Sequence, residues 1–262
     1  MTPWTCAACR EPQVSWAPLP PDRLCHTCRD TAANLAEAEK AAGIPARYRH
    51  FTRHTWTHHF NRPWPAEVDH WTGHPHWLTI WGPTGTGKTG LATVLLAEHL
   101  RGATASSPLP GGGSACGRGA RGEGRAVFPP LPGAGRAPSG VTEGGQGGEA
   151  RTAHWISALA LAEQLRREIN TDGDVLAPLL VTGLLLIDEP LAVDATPWFF
   201  DRLGLLCRTR DEAGLPTIVT LQQNPEALLD KNPPAPPALI SRWLSGLLLF
   251  FDGEDVRLRE KA

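Results

Sequence analysis

The chain has 262 residues, with 25 basic and 27 acidic side chains and a formal net charge of −2. This near balance excludes a generally basic surface, so any nucleic-acid-binding surface must be local. No apolar run approaches the roughly 20 residues of a membrane span, and the first residues lack the regions of a signal peptide. We therefore expect a cytoplasmic protein without a membrane contact, built from one α/β core and a small appendage.

Two pairs of cysteines near the N-terminus have the spacing C-x2-C-x15-C-x2-C; they are Cys6, Cys9, Cys25 and Cys28. This spacing is typical of a structural zinc site with four thiolates around one tetrahedral ion. The proline-rich loop between the pairs cannot bury a core of its own, so metal binding would supply the folding free energy. The alternative interpretation is two disulfides or free thiols.

A helical pattern over residues 32–42 ends at Gly43, which closes a predicted zinc module and linker helix at 1–43. The next segment, through His76, is rich in arginine, histidine and tryptophan. Its aromatic and basic residues either pack as a strap onto a core or stack on single-stranded DNA. A second metal at its histidines lacks a carboxylate or cysteine at matching spacing.

The apolar run Trp77–Trp81 is followed by a G-x-x-x-x-G-K-T sequence and then by a helical pattern over Leu91–Leu100. The loop residues are Gly82, Pro83, Thr84, Gly85, Thr86, Gly87, Lys88 and Thr89. A strand, a glycine-rich loop and a helix in this order are typical of a phosphate-binding loop, whose backbone N–H groups and helix N-terminus face the phosphates. We expect Lys88 to reach the β- and γ-phosphates and Thr89 to ligate Mg²⁺.

Residues 103–150 differ from the rest of the chain, because 20 of these 48 positions are glycine or proline. A tract of this composition without apolar periodicity is expected to be disordered. We therefore predict an insertion inside an ATPase core that comprises residues 44–102 and 151–262. Lengthening a surface loop costs little free energy, so a folded core tolerates such an insertion.

After the insertion, residues 152–156 predict a short strand, and Ser157 is a suitable N-cap for a helix over 158–169. Residues 175–181 predict a further helix. The apolar run Leu184–Ile187 then ends in two carboxylates, Asp188 and Glu189. An apolar run without alternation is typical of a parallel strand buried on both faces. Next to the phosphate-binding loop, Asp188 would hold Mg²⁺ through water and Glu189 would polarise the attacking water.

The rest of the chain continues the α/β alternation. Thr196 and Pro197 predict the start of a helix over 198–210, and residues 216–221 predict another buried strand. A polar cluster, Gln222 to Asn224, follows this strand, where a side chain could orient the attacking water or contact the γ-phosphate. Residues 247–251 predict the last strand.

Together these motifs resemble the DnaC/IstB-like branch of the AAA+ ATPases. The matching segments are Ile44–Tyr48, Gly82–Thr89, Leu184–Glu189, Pro216–Thr220, Ile240–Arg242 and Gly253–Arg257. The resemblance implies an α/β P-loop core with a five-stranded parallel sheet and no separate lid domain. It also implies helicase loading: ATP-bound subunits assemble on single-stranded DNA and deliver a replicative helicase. The IstB relatives instead assist a transposase.

By the same resemblance, Arg242 would be an arginine finger that enters the ATP site of a neighbouring subunit, and Arg257 would be a second sensor. The chain departs from the family pattern at two places. Relatives have Thr-Ser-Asn where this sequence has Thr220, Leu221 and Gln222, so either Gln222 is the sensor or the loop is shifted and Asn224 serves. Relatives often have two aspartates where this sequence has Asp188 and Glu189.

Two other classes of function are compatible with parts of the sequence. A transporter-type ATPase also has an acidic strand, but its signature helix would have to be Glu143–Gln146, inside the predicted disordered tract. A zinc-tethered DNA adaptor that binds ATP and barely hydrolyses it remains an alternative, because the sensor motif is irregular.

Overall fold

The computed structural model describes residues 2–7, 10, 12–15, 25–49, 51–69, 71, 73–106, 152–168, 176–191, 196–230, 234–253 and 255–256. The predicted roles of Cys9 and Arg257, and residues 107–150 of the predicted insertion, lie outside these ranges. The division into a zinc module, an ATPase core and an insertion therefore stays a prediction.

The described strands are β1 (Thr2–Thr5), β2 (Pro12–Ser15), β3 (Trp77–Trp81), β4 (Ala153–Ser157), β5 (Leu184–Asp188), β6 (Thr217–Leu221) and β7 (Leu247–Phe250). The α-helices are α1 (His26–Ala41), α2 (Arg53–Phe60), α3 (Lys88–Ser106), α4 (Ala158–Glu168), α5 (Leu176–Val181), α6 (Pro197–Glu212) and α7 (Pro237–Leu244). Short 3-10 helices cover Ala46–Tyr48, Ala66–Val68 and Glu226–Leu228. In the part of the chain that the structure describes, no helix has both the length and the apolar character needed to cross a bilayer.

Five strands form one sheet in the order β4-β5-β6-β3-β7, and every pairing between neighbours is parallel. The central strands β5 and β6 are almost wholly buried, as expected for apolar runs covered on both faces. This sheet confirms the predicted α/β fold class. Because all five strands are parallel, the loops that follow β3, β5 and β6 meet at the carboxyl edge of the sheet.

The core consists of two apolar clusters, one on each face of this sheet. Leu186 and Ile218 lie in the cluster that contains the buried residues of α3. Leu185, Ile187 and Val219, which alternate with them along β5 and β6, lie in the cluster formed with α4, α5, α6 and α7. Because successive side chains of a strand point to opposite faces, the apolar side chains of β5 and β6 cover both faces of the sheet. Helices pack against these side chains on either side.

Residues 44–71, here called the N-terminal strap, pack on the α3 side of the core. Trp56 is completely buried, and its indole Nε1 donates a 3.0 Å hydrogen bond to the backbone oxygen of Gly87. Arg53 forms an ion pair with Glu98 of α3, with 2.7 Å between Nε and Oε1. These contacts support packing, and not DNA stacking, for Trp56 and Arg53.

Some elements differ from the sequence-based expectations. Helix α1 begins at His26, six residues before the predicted pattern, and α3 continues to Ser106, into the first residues of the predicted insertion. In the sequence, the spacing of Trp64, Val68 and Trp71 predicts a helix, but the structure has there the 3-10 turn Ala66–Val68, which follows Pro65. The antiparallel β1–β2 hairpin is not predicted, because its four-residue strands carry no clear alternation.

Arg210 is a completely buried cation that links separate parts of the fold. Its guanidinium donates hydrogen bonds of 2.7 Å to the backbone oxygens of Leu179, Thr182 and Pro216, and one of 3.0 Å to Thr217 Oγ1. Burial lowers the pKa of Arg210 to about 10. The side chain therefore stays charged at neutral pH and joins α5, α6 and the start of β6.

We expect Arg210→Ala to lower the free energy of unfolding by about 3 kcal/mol or more, because three buried carbonyls lose their donor at about 1–3 kcal/mol each. Urea unfolding followed by circular dichroism measures the difference. Arg208→Ala, which removes an exposed arginine of the same helix, is the control. Equal effects of the two substitutions would contradict this role of Arg210.

Candidate functional site

The predicted phosphate-binding loop connects β3 to α3 at the carboxyl edge of the sheet. Gly82, Gly85 and Gly87 have φ angles of 141°, 76° and 99°, a region that favours glycine. A Cβ atom at Gly82 would lie 1.9 Å from the backbone oxygen of Phe251, and one at Gly87 would lie 2.9 Å from the Phe60 ring. Only glycine fits at these two positions without a rearrangement.

Lys88 is the first residue of α3, and its side chain folds back over the loop. It is only 4% exposed, and its Nζ donates a 2.6 Å hydrogen bond to the backbone oxygen of Pro83. The Thr86 hydroxyl donates to the same oxygen at 2.9 Å. The lysine is therefore held at the loop, where a phosphate would also contact the N-terminus of α3.

Asp188 lies at the end of β5 and accepts hydrogen bonds from two hydroxyls. Oδ1 of Asp188 is 2.8 Å from Thr89 Oγ1 and 2.6 Å from Thr220 Oγ1. Burial raises the pKa of Asp188, while these two hydrogen bonds act in the opposite direction. The structure therefore brings together the threonine and the aspartate that the sequence assigns to Mg²⁺, and they fit this role because hydroxyl and carboxylate oxygens are ligands that Mg²⁺ accepts.

Glu189 follows in a conformation that is unusual for a residue with a side chain, with φ of 50°. Its backbone N–H donates to Thr220 Oγ1 at 3.0 Å, and its Oε2 accepts a 2.9 Å hydrogen bond from Gln222 Nε2. Asn224 points elsewhere, because its Oδ1 caps the turn at the Glu226 N–H, 3.0 Å away. Of the two sensor candidates, the structure places Gln222 beside Glu189.

A cavity of about 410 Å³ contains the predicted residues Thr84, Gly85, Gly87, Lys88, Thr89, Asp188 and Glu189 in its lining. Its remaining lining residues are Arg47, Tyr48, Phe51, His59, Phe60 and Gly90. Five of these six belong to the N-terminal strap, and the sequence analysis assigned none of them to the site. Two of them, Arg47 and Tyr48, lie in the Ile44–Tyr48 motif, which carries the family resemblance but no assigned chemistry.

Arg242, the predicted arginine finger, does not line this cavity. It lies on α7, where Nη1 donates a 2.9 Å hydrogen bond to the Ala238 oxygen, and Nε is 3.3 Å from Oδ2 of Asp211. The other oxygen of Asp211 accepts a 2.8 Å hydrogen bond from Trp77 Nε1 at the start of β3. Arg242 is thus at the opposite edge of the sheet from this chain's phosphate-binding loop.

The N-terminal cysteines form a separate cluster. The sulfur atoms of Cys6, Cys25 and Cys28 lie within 4.8 Å of one another. Cys25 caps α1, and its sulfur accepts a 3.4 Å hydrogen bond from the Cys28 N–H. Thiolates at this separation fit a single tetrahedral zinc ion, with Cys9 as the predicted fourth ligand outside the described residues.

Two of the alternatives at these positions find no support within the described residues. None of the cysteines that the structure describes forms a disulfide. A search of the described residues finds no second cluster of metal-ligand side chains, so the described histidines of the strap belong to none. His59 instead packs against the rings of Phe51 and Phe60.

Comparison with solved structures identifies the fold. The structure matches that of the DnaC helicase loader with a TM-score of 0.50 and 14% sequence identity, over 79% of this chain and 100% of that chain. The chain has the fold of this helicase loader. No protein-family model and no curated sequence matches it.

Two further matches to solved structures are weaker. A primosome component from Streptococcus pyogenes matches with a TM-score of 0.46 and 12% identity, over 80% of this chain and 90% of that chain. AMPPCP-bound DnaA from Aquifex aeolicus matches with a TM-score of 0.45 and 15% identity, over 70% of this chain. The match covers 44% of that DnaA chain, so this chain spans less than half its length.

We expect Asp188→Asn to be at least as stable as the wild type at neutral pH in the absence of nucleotide. Burial raises the pKa of Asp188 above its value in the unfolded chain, so ionisation of Asp188 costs stability above that pKa. This cost disappears as the pH falls and the carboxyl takes up a proton, so the two melting temperatures should converge at acidic pH. Thermal unfolding across a pH series measures the difference.

The control for this series is Asp201→Asn, which removes an exposed carboxylate from α6. It reports the effect of removing one surface charge, against which the effect of Asp188→Asn is compared. A melting temperature of Asp188→Asn well below the wild type at neutral pH would show that the two hydroxyls require the charged carboxylate.

We expect the purified protein to contain about one zinc ion per chain, because four thiolates at this spacing form a closed site. Cys28→Ser should lose the metal, and a chelator should unfold the N-terminal module because metal binding supplies its folding free energy. Metal analysis together with circular dichroism measures both effects. Cys116→Ser, at a cysteine outside the metal spacing, is the control, and equal zinc contents in the two variants would contradict the site.

Proposed function

We propose that this protein is a cytoplasmic ATPase that binds ATP and Mg²⁺ and loads a replicative DNA helicase. The observation that carries the proposal is the 2.8 Å hydrogen bond between Thr89 Oγ1 and Asp188 Oδ1. It supports nucleotide binding because these two groups, at this distance, can share one Mg²⁺ beside the phosphates. The AAA+ fold shared with the DnaC helicase loader supports the biological role.

Each of the described residues of the site would have its own role in ATP hydrolysis. The loop from Gly82 to Gly87 would enclose the phosphates with its backbone, and Lys88 would neutralise their charge. Thr89 and Asp188 would hold Mg²⁺, which would supply further neutralisation of the phosphate charge. Glu189 would orient and polarise the attacking water, and Gln222 would hold Glu189 until the substrate is in place.

Residues of a neighbouring subunit would complete the site. Arg242 lies far from this chain's own loop, which supports a role in a second copy, where its charge would stabilise the transition state. This arrangement requires a homo-oligomer whose assembly depends on ATP. We propose Arg257 as the second sensor, in accordance with the family resemblance.

The partners follow from the same proposal. Single-stranded DNA would be bound by the ATP-bound oligomer, and the cysteine cluster would fold the N-terminal module around zinc. An IstB-like helper of a transposase would use the same nucleotide site and differ only in its partner.

One observation favours a third possibility, an adaptor with weak hydrolysis. The hydrogen bond from Gln222 occupies Oε2 of Glu189, the group that would polarise water. A protein in which this contact persisted with ATP bound would hold ATP without turnover. Measurement of ATPase activity with and without single-stranded DNA distinguishes this adaptor from the helicase loader.

We expect Glu189→Gln to bind ATP without hydrolysing it, because the amide cannot act as a base while the phosphate contacts remain. In this trapped state, the tagged variant should retain a replicative helicase in a pull-down from cells of its host. ATP turnover by phosphate release and the identity of the retained protein are the two measurements. Retention of a transposase would favour the IstB-like alternative.

Lys88→Ala is the matched control, because it removes the phosphate contact and should abolish both ATP binding and helicase retention. Normal turnover by Glu189→Gln would remove Glu189 from the mechanism. Micromolar ATP affinity in Lys88→Ala would contradict the assignment of the phosphate-binding loop.

A further inference from the structure

The N-terminal strap supplies one positive charge to the nucleotide cavity. Arg47 lines the cavity together with Lys88, Thr89, Asp188 and Glu189. It belongs to the 3-10 turn Ala46–Tyr48, which lies far from the phosphate-binding loop in the sequence. The cavity therefore has two cations, one from the loop and one from the strap.

The position of Arg47 is restrained although its side chain is exposed. Its guanidinium carbon lies 4.7 Å from the centroid of the Tyr48 ring, and Tyr48 in turn packs against Phe51 at 5.7 Å. The turn is held from its other end, since Arg49 Nε donates a 2.9 Å hydrogen bond to the backbone oxygen of Ile44. A guanidinium stacked by its face keeps its N–H groups available at its edges.

Arg47 differs from the other arginines of the strap in its partners. Arg53 binds Glu98, and Arg62 and Arg49 donate to backbone oxygens. Arg47 makes no ion pair with a carboxylate anywhere in the described ranges, although it faces a cavity with two acids. An arginine that is stacked on an aromatic ring, lines a cavity and forms no ion pair within the described residues is suited to bind an anion of the ligand.

The lining of the cavity brings Arg47 together with the proposed Mg²⁺ ligands. Thr89 and Asp188, which are joined by a 2.8 Å hydrogen bond, line the same cavity as Arg47. The terminal phosphates of the proposed triphosphate would lie beside these two residues, in the space that Arg47 also lines.

We propose that Arg47 binds the γ-phosphate of ATP within its own subunit and makes the site prefer the triphosphate over the diphosphate. The inference rests on the proposed function, because it requires a nucleoside triphosphate on Lys88 and Thr89. It adds a contact from the strap that exists with ATP and is lost with ADP. Bidentate donation from a guanidinium to phosphate oxygens is the interaction expected there.

The test compares the affinities of AMPPCP and ADP, each with Mg²⁺, by isothermal titration calorimetry. Arg47→Ala should weaken AMPPCP binding by about ten- to a hundredfold, the effect of a lost charge-assisted hydrogen bond, and ADP binding by about threefold or less. Arg47→Lys should be intermediate, because it keeps the charge and loses the planar fork. Arg208→Ala, an exposed arginine on α6, should leave both affinities unchanged.

If Arg47→Ala lost affinity equally for both nucleotides, or lost none, the inference would be overturned and the proposed function would stand. Melting temperatures of both Arg47 variants check that they fold. If Arg47→Ala does not fold, the affinities of Arg47→Lys for the two nucleotides provide the test. A wild-type protein that binds neither nucleotide would overturn the proposed function, and the role of Arg47 with it. Lys88→Ala, which should lose both nucleotides, separates these two outcomes.

Discussion

The hydrogen bond between Thr89 and Asp188 is the contact on which the arrangement of the site depends. It joins the first turn of α3 to the end of β5, across 99 positions of sequence. Thr220, at the end of β6, binds the same carboxylate oxygen from the other side. Because side chains alternate between faces along a strand, a shift of β5 by one residue would turn Asp188 away from both hydroxyls. The strand register therefore determines the chemistry.

Burial of the Asp188 carboxylate affects the charge balance of the site when no ligand is bound. Two hydroxyls satisfy Asp188, yet burial dominates and raises its pKa. Lys88 is buried at the same edge and bonds to the backbone of its own loop. A site of this kind holds opposite charges in a space that water reaches poorly. When a charged ligand binds there, contacts within the protein are replaced by contacts with the ligand, and the surrounding backbone moves little. The parallel sheet supplies that rigidity.

Elements with a strong local pattern were predictable from the sequence. The apolar runs predicted β5 and β6, and the cap at Thr196 is present, since its hydroxyl accepts from the Phe199 N–H at 3.2 Å. The strand, loop and helix around Gly82–Thr89 were predictable because glycines at this fixed spacing are typical of such a connection. Its proximity to the acids at the end of β5 followed from the parallel arrangement, which puts all strand ends at one edge.

Contacts between distant segments were not predictable. Arg210 donates hydrogen bonds to acceptors on α5, on the loop after α5 and next to the start of β6. No spacing of residues in the sequence predicts this set of acceptors. The aromatic residues of the strap have no regular period, so their place in the cavity wall depends on tertiary packing. The positive φ of Glu189 belongs to the same class, because neighbouring strands impose it.

The indole of Trp56 gives the strap a mechanical property. Its Nε1 is bonded to the oxygen of Gly87, which directly precedes the first residue of α3. The strap is therefore fastened, through one side chain, to the backbone of the loop between β3 and α3. A displacement of that carbonyl would move the indole with it, and the buried aromatic residues of the strap would have to follow.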